Sequence, residues 1–166
     1  MDIYEKRGTN FEVSVSLCME QISNSVVITH FDVFSFSLSK VTPIDILILL
    51  GHHIFVLELK RLSNKISGKY SERRWLGYSN QNKYFFFNPI IQVKEKMRCL
   101  QRKLNECGFE YWNLDWNYFV VVPDSCCISA DKTVVITQQE LFQRVLKMND
   151  IKEQNSELLK FLVGGG

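Results

Sequence analysis

Residues 44–60, IDILILLGHHIFVLELK, constrain this chain more than any other stretch. Two apolar runs, Ile46–Leu50 and Ile54–Leu57, flank Gly51-His52-His53. Unbroken apolar strands are strands buried on both faces, and glycine supplies the positive φ that a two-residue hairpin turn needs. With Gly51-His52 at the tip, Leu50 pairs with His53, and the register sets Asp45 opposite Glu58. Directly opposed residues have Cβ atoms about 5 Å apart. A carboxylate in such a strand costs several kcal/mol unless it is paired or bound to metal. Two that face each other repel, which raises the pKa of one and makes a ready site for a divalent cation. Oxygen-only donors favour Mg²⁺ or Mn²⁺. Strand alternation puts Lys60 on the same face as Glu58. A metal held by two acids beside a lysine suits phosphodiester hydrolysis: the ion lowers the pKa of a bound water, and the lysine orients that water or stabilises the transition state.

The surrounding pattern predicts an α/β chain. Thr9 and Glu12 form a T-x-x-E capping box ahead of a helical stripe of Phe11, Val15, Cys18, Met19 and Ile22, ended by Asn24-Ser25. Strands are expected at Val26–Ile28, Val33–Phe36, Ile44–Leu50 and Ile54–Lys60. Shorter ones are expected near Lys65–Tyr70, Trp75–Tyr78 and Tyr84–Phe87. Asn88 and Pro89 are an N-cap and N1 pair for a helix with apolar residues at 90, 93, 97, 100 and 104, closed by Gly108. Tyr118–Val122 and Thr133–Ile136 read as strands, and Gln138–Met148 and Ile151–Leu162 as helices. This order predicts a central mixed β-sheet flanked by helices.

At 166 residues with 46% hydrophobic content, the chain buries enough surface to fold without a disulfide or a structural metal. No apolar run is long enough to span a bilayer, so no membrane partner is expected. The acid-bearing N-terminus is not a signal peptide. Five cysteines without a Cys-x-x-Cys pair read as reduced thiols, and the expected location is cytoplasmic.

These residues resemble a family. Asp45 followed by Glu58-Leu59-Lys60, with Pro43 ahead of the aspartate, is similar to the signature of the PD-(D/E)xK nuclease superfamily. More specifically, the chain resembles the NERD (nuclease-related) domain. The resemblance runs through Ile44–Ile48, Ile54–Lys60, Ile66-Ser67-Gly68, Trp75 and Asn88-Pro89-Ile90-Ile91-Gln92. Gly8 and Glu12 are similar to its first helix, and Phe119–Val122 and Thr137–Leu141 to its closing strand and helix. The resemblance covers roughly residues 8–147 and implies a restriction-endonuclease-like core; the expected single domain is 1–163, and the Gly164–Gly166 run reads as a flexible tail. It implies that Asp45 and Glu58 bind Mg²⁺ or Mn²⁺ with help from the Leu59 carbonyl. It makes Lys60 the catalytic lysine, and Gln92 and Glu12 accessory site residues. The chain departs from the pattern at Lys96, where many superfamily members carry an aromatic residue.

Plainer readings stand beside these. A capping box by itself explains Glu12, and Gln92 can be merely solvated. Lys94, Arg98 and Arg102 recur at i, i+4, i+8 on the helix that starts at the site. They are candidates for tracking nucleic-acid phosphates, or a solvated face. Lys69, Arg73 and Arg74 have the same status. Tyr111, Trp112, Trp116 and Tyr118 can stack on bases or build an aromatic strand. His30, His52 and His53 show no ligand spacing, and Cys126-Cys127 lack histidine partners for zinc. The expected partner is nucleic acid, DNA in the first instance. A regulatory protein partner or an oligomer is expected on the general ground that a free nuclease endangers its host. The alternatives are a catalytically silent nucleic-acid-binding domain of the same fold, and an interaction domain within a larger defence or repair assembly.

Overall fold

A computed structural model describes residues 3–149 and 156–164, with side chains from residue 10 onward. The first five positions of the helix expected over Ile151–Leu162, together with Gly165 and Gly166 of the expected tail, lie outside the described residues.

The order is α1 (Ile3–Glu20), β1 (Val26–Ser35), β2 (Lys40–Leu50), β3 (His53–Leu59), β4 (Lys65–Ser67), β5 (Arg74–Ser79) and β6 (Asn82–Phe87). Then come α2 (Pro89–Glu106), a 3-10 turn at Tyr111–Asn113, β7 (Asp115–Val122), β8 (Cys127–Ser129), β9 (Val135–Thr137), α3 (Gln138–Lys147) and α4 (Ser156–Val163). The main sheet is mixed, in the order β1-β2-β3-β7-β9. β1, β2 and β3 are antiparallel, while β7 and β9 run parallel to β3. Helices cover both faces, as a restriction-endonuclease-like core requires.

Alternation along β2 and β3 divides the core. Ile46, Ile48, Leu50, Phe55 and Leu57 pack with Phe11, Val15, Met19, Leu141 and Val145 of α1 and α3. Leu47, Leu49, Ile54 and Val56 pack with Val93, Leu100 and Leu104 of α2 and Leu158 and Leu162 of α4. Every one of these strand residues is buried, so the unbroken apolar runs satisfy both faces at once.

The hairpin register is as expected: Leu50 pairs with His53 and Ile46 with Leu57, and Gly51 takes φ 60° at the turn. Two local expectations are corrected. α1 begins at Ile3, so Thr9 is interior to the helix and Thr9–Glu12 is no capping box. The T-x-x-E pattern caps a helix at Thr137 and Glu140 instead, where both reciprocal bonds are present. The two strands expected over 26–36 are one. Its polar middle, Thr29–Asp32, is carried by pairing with β2, through Thr29 with Ile46 and Phe31 with Ile44. His30 between them has φ 54°, a left-handed backbone at the point of β1 nearest Asp45.

The short strands form a second sheet, β6-β5-β4-β8, whose last member the sequence pattern does not mark. Gly68 is required there, because a Cβ at that position would come within 2.2–2.4 Å of the Trp75 indole. Asn88 joins this sheet to α2. Its Oδ1 accepts from the N–H groups of Ile90 and Ile91, and its Nδ2 donates to the carbonyls of Tyr70 and Glu72. The buried Asn-Pro step thus caps α2 and fixes its first turn against the 69–72 loop.

Candidate active site

Asp45, in the middle of β2, meets Glu58 and Lys60 at the C-terminal end of β3, on the face that α2 covers. The Asp45 Oδ2 accepts from the Leu59 N–H at 2.8 Å, which ties the carboxylate to the neighbouring strand. Lys60 Nζ lies 2.7 Å from Glu58 Oε1 and 5.7 Å from the centre of the Phe86 ring of the second sheet. Residues two apart on a strand share a face, so the E-x-K spacing places this ammonium beside its carboxylate.

The fourth member is Lys96, from the middle of α2. Its Nζ donates to Asp45 Oδ1 at 3.1 Å and Glu58 Oε2 at 2.5 Å. Side-chain exposures are 5% for Glu58, 11% for Lys96, 21% for Lys60 and 25% for Asp45. The two carboxylates are therefore balanced by two ammoniums rather than left to repel. Burial pushes Glu58 up, but Lys60 and Lys96 outweigh it and hold its carboxyl below the usual range. Burial also raises Asp45, Glu58 adds to the rise, and Lys96 and the Leu59 N–H offset it only in part. Burial works against the charge on Lys96, yet Glu58 and Asp45 raise its pKa. Asp45 is thus the carboxyl of the pair with the raised pKa, through burial first and the Glu58 charge second.

The arrangement fits a divalent cation. A single positive centre, the Lys96 ammonium, already touches one oxygen of each carboxylate, and both donors are of the hard oxygen type that Mg²⁺ and Mn²⁺ take.

Glu12 reaches this end of the sheet from α1. Burial raises its pKa, the nearby His30 lowers it, and the Asp45 charge raises it further. His30 Nδ1 lies 3.0 Å from Glu12 Oε1 without the alignment of a hydrogen bond. Gln92 lies one turn before Lys96 on α2, and its Oε1 is buried with no hydrogen-bond partner among the described residues. Beside it a cavity of about 420 Å³ is lined by Ser37, Phe87, Gln92, Glu95 and Lys96 among others.

The basic stripe is not brought to the cluster. Residues two apart on a helix point about 200° apart around its axis, so Lys94 faces away from Lys96. Lys94 sits against Tyr70 and Tyr118, Arg98 is exposed, and Arg102 lies over the Phe36 ring. Sequence reasoning passed over Lys96 as a site residue. The signal was there: it falls three residues after Val93 and four before Leu100, inside the buried stripe of α2, where an unpaired lysine is untenable.

A separate group sits at the hairpin tip. His52 Nε2 and His53 Nδ1 lie 2.9 and 3.4 Å from Asp115 Oδ2, and potential ligand atoms of the three residues fall within 4.8 Å of one another. The group could hold a metal ion, although no ligand spacing marks it in the sequence, because Asp115 arrives through the pairing of β7 with β3. The imidazoles are stacked, 27° from parallel and 4.5 Å between centres, so their in-plane lone pairs converge on one ion only if a ring turns.

No helix among the described residues is long and apolar enough to cross a membrane, and all five cysteines are free. Searches of curated proteins and of solved structures found no match. A family model does match: it covers residues 7–123, from α1 to the residue after β7, and so includes both strands of the charged hairpin, β4, β5 and β6 of the second sheet and all of α2. The family it describes is NERD, the nuclease-related domain, and this chain belongs to it.

Proposed function

We propose that the chain is a Mg²⁺- or Mn²⁺-dependent nuclease that hydrolyses phosphodiester bonds, with DNA as substrate. The observation that carries this reading is the juxtaposition of Asp45, Glu58 and Lys60 on the α2 face of two adjacent strands. Asp45 and Glu58 hold the ion, with the Leu59 carbonyl as a further donor. The chemistry a bound ion supplies is a lowered pKa for a water and neutralisation of phosphate charge. Lys60, anchored on Glu58, is in place to orient the water and to meet negative charge that develops on the phosphate. Gln92 offers a buried acceptor with no partner among the described residues, and Glu12 adds a carboxyl that feels the Asp45 charge. Lys94, Arg98 and Arg102 can contact phosphates only where nucleic acid passes over the solvent side of α2. Five free thiols agree with a cytoplasmic setting.

A second reading, a catalytically silent nucleic-acid-binding domain of the same fold, is favoured by one observation: Lys96 already satisfies both acids. A cleavage assay separates the two. Supercoiled, linear and single-stranded DNA, and RNA, are incubated with Mg²⁺ or Mn²⁺ and with EDTA. Cleavage that EDTA stops, and that both Glu58→Ala and Lys60→Ala abolish in folded protein, supports the nuclease. Undiminished cleavage by either variant refutes it, and binding without cleavage supports the silent domain.

A further inference from the structure

All four oxygens of the Asp45 and Glu58 carboxylates have a protein partner. Leu59 N–H and Lys60 Nζ each take one. The remaining two, Asp45 Oδ1 and Glu58 Oε2, converge on Lys96 Nζ. An ion bound by those same two oxygens would sit about 2.1 Å from each, inside the space of the ammonium. Ion and ammonium cannot occupy it together.

We propose that Lys96 is an internal cation that fills the metal position, and that Mg²⁺ or Mn²⁺ binds only by displacing it. The inference rests on the metal-dependent reading above and adds its regulation: occupancy of the site is a competition between a free ion and a tethered ammonium. A tethered competitor acts at a high effective concentration, so the metal affinity of the resting chain is weak. The displaced side chain has a place to go. Gln92 Oε1, one turn back on the same helix face, is a buried acceptor without a donor among the described residues, and the cavity beside both residues gives the flexible four-carbon stem room to swing. The α2 backbone can stay in place, since Asn88 holds its first turn. Anything that draws Lys96 out, such as a substrate phosphate entering the cavity, thereby raises metal affinity.

The test is Mn²⁺ titration calorimetry on the full chain without nucleic acid. Lys96→Met should bind Mn²⁺ at least tenfold more tightly than wild type. Lys60→Met removes a charge beside Glu58 but opens no bridging position, so its gain should be several-fold smaller. Adding Asp45→Asn to Lys96→Met should abolish the gain. Equal affinities for wild type and Lys96→Met, or equal gains for the two lysine variants, overturn the displacement. Wild-type protein provides a second measurement that needs no variant to fold. Lys96 should resist an amine-acetylating ester in EDTA and become several-fold more reactive at saturating Mn²⁺, read by peptide mass spectrometry. Exposed Lys40 serves as the unchanged control. Unaltered Lys96 labelling at saturation also overturns the proposal. Equal binding by both proteins sinks the displacement alone, whereas absence of Mn²⁺ uptake in both sinks the metal-dependent reading with it.

Discussion

Replacing Lys96 with methionine in metal-free protein removes the ammonium and keeps an unbranched apolar stem. Glu58 is then left with Lys60 alone, and Asp45 with the Leu59 N–H. Removing one partner of a buried ion pair costs about 3–5 kcal/mol. Here the cost has a ceiling, because the orphaned carboxyl can take up a proton. With an unfolded-state aspartate pKa near 3.9 and 1.36 kcal/mol per unit, neutralisation costs about 4 kcal/mol at pH 7 and about 1.5 kcal/mol at pH 5. Asp45 is the group that protonates, since its pKa is already raised with Lys96 present. Its quarter exposure and the remaining Lys60 charge soften the loss. The expected destabilisation is therefore about 2–3 kcal/mol at pH 7, a fall in Tm of roughly 4–12 °C for a domain of this size. At pH 5 it shrinks to about 1.5 kcal/mol or less. The wild type keeps the Glu58 contribution over that range: its carboxyl is depressed in the folded state, so its stabilisation persists above the unfolded glutamate pKa and fades only as pH falls through the lower folded value. Urea melts in EDTA at pH 7 and pH 5, followed by circular dichroism, measure both numbers. A Lys96→Met penalty under about 0.5 kcal/mol at pH 7, or one that grows on acidification, refutes the account of Lys96 as the buried counter-charge.

Asn88→Ala removes a helix cap and two hydrogen bonds to carbonyls of the exposed 69–72 loop. A cap is worth about 1 kcal/mol and each of the two lost hydrogen bonds about 0.5–1.5 kcal/mol, so thermal melts should fall by roughly 4–16 °C. Asn88→Asp restores the cap acceptor but sets a carboxylate against the loop carbonyls, and a full rescue by Asp would show that capping alone matters. Reversing Lys94, Arg98 and Arg102 to Glu should weaken binding to every DNA sequence alike and flatten the slope of log affinity against log salt. An unchanged slope in fluorescence anisotropy titrations would mark the stripe as a solvated face.

The amino-acid order alone determines the hairpin. Two apolar runs around Gly51 admit one register that buries both; its ladder runs as far as Ile46 with Leu57, and the residues just beyond, Asp45 and Glu58, share one face with Lys60. It determines α2 equally well, because Asn88, Pro89 and Gly108 mark its ends through local backbone chemistry. What local patterns leave open is which of two equivalent signals is used. T-x-x-E occurs at Thr9 and at Thr137, and only the second begins a helix, since the backbone of α1 is already helical from Ile3. β8 is three residues long and exists by pairing with β4, a contact more than fifty residues away in the chain. The same holds for the charged site. Opposed acids in a strand call for a cation, but its identity depends on which helix covers the sheet and at what rotation. Lys96 is fifty-one residues from Asp45 and thirty-eight from Glu58. The pinning of the first turn of α2 to the second sheet turns a lysine within an apolar stripe toward two carboxylates, and only tertiary structure, which sets distances between residues far apart in sequence, decides that.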